Sequence, residues 1–142
     1  MSSALHLAVR TVHLLGMVAL VGGSALAWHG LRTADRVPSA RLLRFELWFW
    51  ALLGLVLATG VGNLGAVGAP GPGTRWGSVL TAKLLVALAF VVGSFLRSLA
   101  VLRLPADATV PDRGGATLER AYGATAATLL LLVALAEVLA HG

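Results

Sequence analysis

The chain contains no cysteine. Disulfides, iron–sulfur clusters and thiolate metal sites are therefore excluded. Charge is scarce too: 12% of the residues are charged, where a soluble domain carries about 25%. A deficit of that size excludes an ordinary soluble globular enzyme. Disorder is excluded by the opposite imbalance, because disordered chains are poor in hydrophobics and here these make up 58% of 142 residues. The glycine-rich stretches contain no phosphate-loop lysine motif. No nucleophile–base pair is recognisable. The length suits one domain, residues 1–142.

What is present is apolar length. The mean hydropathy is +0.87, and the net charge is +5, from ten Arg and one Lys against six acidic residues. The basic residues sit between long apolar runs and form no patch among aromatics. That is the membrane pattern and not the nucleic-acid one, so the expected partner is the lipid bilayer. A bilayer core needs ~20 mostly apolar residues per helix. Four stretches qualify: Leu5 to Trp28, Leu42 to Leu64, Trp76 to Leu102 and Ala121 to Ala140. The expected fold is all-α, an antiparallel four-helix transmembrane bundle. Ala25-Leu26-Ala27 looks like a signal cleavage site, but His6, Arg10 and His13 are poor for a signal core, so the first helix is expected to be retained.

The loops are unequal in charge. The first holds Arg32, Asp35, Arg36 and Pro38, and the third holds Arg103, Asp107, Asp112, Arg113, Glu119 and Arg120. The second is a turn through Gly68, Ala69, Pro70, Gly71, Pro72 and Gly73. With their flanking helix ends, the first and third loops carry eight basic residues and the opposite side three. The asymmetry predicts cytoplasmic first and third loops, both termini outside, and an inner-membrane location.

Ionisable groups within the spans are the functional candidates, because burying them is costly. His13 and Lys83 each lie about 12 Å from the terminal side, at ~1.5 Å per residue, on different helices. His6, Arg10, His13 and Met17 share one helical face, at i, i+4, i+7 and i+11. Glu137 lies near the level of Arg10, either as an ion-pair partner or as part of a site. Glu46 and Arg97 have similar depths and read as a structural pair. Arg44 can snorkel, as Lys83 can with more difficulty. Trp28, Trp48, Trp50 and Trp76 read as interfacial anchors. Gly16, Gly22 and Gly23, with Gly54, Gly60 and Gly62, allow close helix approach or space for a flat ligand.

A b-type heme suits this pattern, since it needs axial ligands, a flat apolar slot and cations for its propionates. His13 supplies one ligand, Lys83 a second when its amine is neutral, and Arg10 faces the propionates. Copper is the alternative, on His6, His13, Met17 and His141 as nitrogen and thioether donors. It leaves Arg10 and Lys83 unexplained. A structural subunit without cofactor, held by buried ion pairs, is the third reading. A redox partner and a homo-oligomer are compatible with any of them.

Arg10-Thr11-Val12-His13-Leu14-Leu15-Gly16 resembles the opening of the bacterial four-helix membrane protoporphyrinogen oxidase family, and Thr81-Ala82-Lys83-Leu84 resembles that family's lysine segment. Order and span count agree across nearly the whole chain. The resemblance implies heme held by His13 and Lys83, and oxidation of a porphyrinogen. The chain differs from the oxidase pattern at Val18-Ala19-Leu20-Val21, at Thr81 and around Tyr122-Gly123-Ala124. Gly77, Leu80, Lys83 and Leu84, with the glycine-rich first helix, are also similar to the membrane domain of the copper-resistance D family. Arg97 stands where that family's third helix ends.

Overall fold

A computed structural model describes residues 3–34, 36–67, 71, 73–110 and 112–141, with side chains at all of these except 64–67, 112–114, 140 and 141. Asp35, Gly68, Ala69, Pro70 and Pro72 of the expected loops, and the side chains of Arg113 and His141, lie outside that description. Four helices dominate: α1 (Ser3–Thr33), α2 (Ser39–Val67), α3 (Arg75–Leu102) and α4 (Asp112–His141). Each is long and apolar enough to cross a membrane. They pack into an antiparallel four-helix bundle, so the chain is a multi-pass membrane protein.

The helices outrun the apolar stretches. The fourth starts at Asp112 and not near Ala121, placing Glu119 and Arg120 on the helix. Hydropathy marks only the hydrocarbon-length centre of each span. The first turns of α4 are fixed instead by Leu118 and Tyr122, which are buried in a cluster with Val37, Leu42, Val101 and Val110.

Burial is inverted relative to a soluble bundle. Leu47 and Trp48 are 74% and 71% exposed, while Ser24, Glu46 and Arg97 are buried. Lipid tails are as apolar as leucine, so large apolar side chains cost nothing at the periphery, and the interior holds polar groups beside its apolar clusters. At Gly16 a Cβ would stand 2.6 Å from the Val56 side chain. Only glycine lets α1 and α2 approach this closely. α1 packs closely on α2 and α4, α3 packs on α4, and α2 touches α3 only lightly.

The two ends of the bundle are built differently. At the loop end, β1 (Val37–Pro38) pairs antiparallel with β2 (Thr109–Val110). The Ser39 hydroxyl lies 3.0 Å from the carbonyl oxygens of both Pro105 and Ala106. The first and third loops are thus tied to each other. At the terminal end, Gly73 takes a φ of +93°, the left-handed region that glycine tolerates. It leads into Thr74, whose hydroxyl caps α3 by accepting from the Gly77 N–H at 3.0 Å. The Trp76 indole N–H donates to the Leu139 carbonyl at 3.1 Å, fastening α3 to α4.

Candidate functional site

The half of the bundle nearer the termini contains His13. Its Nδ1 lies 3.0 Å from the Val56 carbonyl and 3.0 Å from the Thr59 hydroxyl, both on α2. The Val56 carbonyl can only accept, so the tautomer that serves it carries the proton on Nδ1 and keeps the Nε2 lone pair free in the neutral ring. The Thr59 hydroxyl also lies 2.8 Å from the Leu55 carbonyl and 3.1 Å from the Val56 carbonyl. Gly60 makes the fit possible, since a Cβ there would stand 3.2 Å from His13 Cε1. The sequence spacing did not disclose Thr59, although a hydroxyl level with a buried histidine is the signal for it.

Lys83 is half-buried on α3. Asn63, one turn beyond Thr59 on α2, buries its Oδ1 without a hydrogen-bond partner among the described residues. Met17 packs against the core cluster of Leu20, Phe49, Leu53 and Val56. Arg10 is exposed. His6 is half-buried and about 10 Å along the helix from His13. Among the described residues no group of three His, Cys, Asp or Glu could hold a metal ion together.

Arg10 and Glu137 are both exposed. One expectation is corrected: Trp50 is no interfacial anchor. Its indole N–H turns inward and donates to the Ser98 hydroxyl at 2.8 Å.

The second polar layer lies in the half nearer the loops. Arg97 Nε and Nη2 donate to the two Glu46 oxygens at 2.9 and 3.0 Å. Arg97 Nη1 donates to Thr125 Oγ1 at 2.6 Å. The Ser98 and Tyr122 hydroxyls also donate to Glu46. The guanidinium carbon sits 4.3 Å from the Phe49 ring centroid and 4.6 Å from that of Tyr122. Glu46 is 5% exposed and Arg97 4%, yet every charged atom is partnered. The fork geometry of arginine and the dry aromatic walls make this a strong, fixed joint between α2, α3 and α4. Glu46 and Arg97 were legible as a pair from depth alone. Tyr122, Ser98 and Thr125 were not, since single hydroxyls in apolar helices are common.

No protein family, curated protein or solved structure matches this chain.

Proposed function

We propose that this chain binds a b-type heme in the membrane, in the half of the bundle nearer the termini, with His13 as axial ligand through Nε2. The observation that carries the reading is the Nδ1–H clamp on Val56 and Thr59. A histidine that ligates iron is oriented by donating its other ring nitrogen to a carbonyl, and its lone pair then points away from the clamp. The remaining groups suit the same ligand. Lys83 offers a second axial donor when its amine is neutral, and Arg10, one turn nearer the termini, offers a cation for a propionate. Asn63 Oδ1 is a buried acceptor without a donor among the described residues. The lightly packed seam between α2 and α3 is where a flat ring would enter. Met17 and Glu137 belong to the periphery of this site, Met17 as packing and Glu137 near the mouth.

The heme, when bound, supplies one-electron exchange, which admits oxidation of a porphyrinogen or electron carriage to a redox partner. The basic asymmetry supports cytoplasmic tied loops and a site toward the outer face of an inner membrane. Purification in mild detergent, followed by an absorption spectrum and metal analysis, tests the reading. A Soret band is expected, lost in His13→Ala and altered in Lys83→Met. Lys83→Arg should not restore the original spectrum, because guanidinium has no lone pair to donate. Copper without a Soret band would overturn heme in favour of copper. The absence of both would leave a structural subunit.

A further inference from the structure

At the loop end, α1 and α4 meet through an unusually close contact. A Cβ on Gly123 would stand 3.1 Å from Cδ1 and Nε1 of the Trp28 indole, so that edge of the ring packs against the α4 backbone. One turn nearer the loops on α1, the Arg32 guanidinium folds back over that ring at 5.4 Å. One turn nearer the loops on α4, three residues before Gly123, stands Arg120. Both arginines are exposed. Neither is in an ion pair with a carboxylate among the described residues. Two guanidiniums on either side of one seam repel each other unless an anion lies between them.

We propose that Arg32 and Arg120 form a binding site for the phosphate headgroup of an anionic phospholipid. Phosphate matches the arginine fork and accepts from both at once. Lipid is the source because the seam opens at the end of two helices that span a bilayer, where headgroups lie, and because an indole at that level is a membrane-interface group. Arg32 is held ready by its stacking on Trp28, and Trp28 by Gly123, so little ordering remains for binding to pay. The tied first and third loops keep this end of the bundle in one shape. Arg36, Arg41, Arg44 and Arg103 are also exposed there and raise the local concentration of any anion.

The test is native mass spectrometry of the full chain in detergent, with phosphatidylglycerol or phosphatidylcholine added. Preferential retention of phosphatidylglycerol is expected. Arg32→Gln and Arg120→Gln should each weaken it roughly fivefold, the loss of one basic contact at a charged surface. Arg41→Gln and Arg103→Gln, which remove the same charge from the same end, should leave it within a factor of two. Circular dichroism on each variant checks that the helices are intact. Equal losses in all four variants would replace the site with a diffuse field and overturn the proposal. So would equal retention of the two lipids. Competition by inorganic phosphate or glycerol phosphate at the lipid's own concentration would make a soluble anion the ligand, which also overturns it.

Discussion

The bundle has two polar layers, and they differ in how far they are satisfied. Near the loops, Glu46 accepts from Arg97, Ser98 and Tyr122, and Arg97 Nη1 donates to Thr125. No charged atom is left over. Near the termini, His13 uses one ring nitrogen, Lys83 is half-buried on α3, and Asn63 Oδ1 has no donor among the described residues. Both layers bury polar groups at a cost. The first recovers that cost within the chain, and the second does not. A saturated network is an answer to folding, whereas an unsaturated one is a demand for a ligand.

Breaking the saturated layer should have the largest effect. Arg97→Met leaves the Glu46 carboxylate buried without its counter-charge, and such a loss costs about 3–5 kcal/mol. The double variant Arg97→Met with Glu46→Gln should recover part of that, because no unpaired charge remains. Unfolding by a denaturing detergent at fixed micelle composition measures both. A double variant less stable than Arg97→Met alone would show that the pair is not one unit. Tyr122→Phe is milder. It removes one hydrogen bond to a charged acceptor, worth about 1.5–3 kcal/mol, and should leave any bound heme's spectrum unchanged.

The unsaturated layer should respond the other way round. In Thr59→Val, His13 keeps the Val56 carbonyl but loses the hydroxyl, a stability change of about 0.5–1.5 kcal/mol. Loss of such an orienting partner costs a metal site about 10–100-fold in affinity. Heme retention after dilution should therefore fall much more than the unfolding midpoint. A large stability loss with heme retention unchanged would reverse the roles assigned to the two layers.

Much of this was legible in the sequence, for reasons that can be stated. Four apolar runs of bilayer length fix four helices, because a backbone in hydrocarbon has no other way to satisfy its hydrogen bonds. Counting residues from the span ends placed Glu46 level with Arg97 and His13 level with Lys83. A helix rises by a constant amount per residue, so depth survives without knowledge of packing. Direction does not. Trp50 points inward and Trp48 outward, two residues apart, and both have the composition of an anchor. The rotation of each helix about its axis is set by contacts such as Gly16 on Val56 and Gly123 on Trp28, which involve residues far apart in the chain.

The smallest expected effect concerns two groups that fit neither description. The hydroxyls of Ser24 and Ser94 are buried and make no hydrogen bond among the described residues. Neither belongs to the Glu46 layer, although the Ser94 carbonyl lies 2.9 Å from the Ser98 hydroxyl whose proton goes to Glu46. Replacing a buried hydroxyl that has no partner removes a desolvation cost without removing a bond. Ser24→Ala should therefore leave stability unchanged or raise it by up to ~1 kcal/mol, since an unsatisfied buried polar group costs about 1–3 kcal/mol and the hydroxyl volume is lost in exchange. Ser94→Ala should behave alike, because its backbone is unchanged. Unfolding midpoints of the two single variants decide this. A loss above about 1 kcal/mol in either would mean that its hydroxyl has a partner in the membrane, such as a bound water, and that the boundary between saturated and unsaturated layers runs closer to the loops.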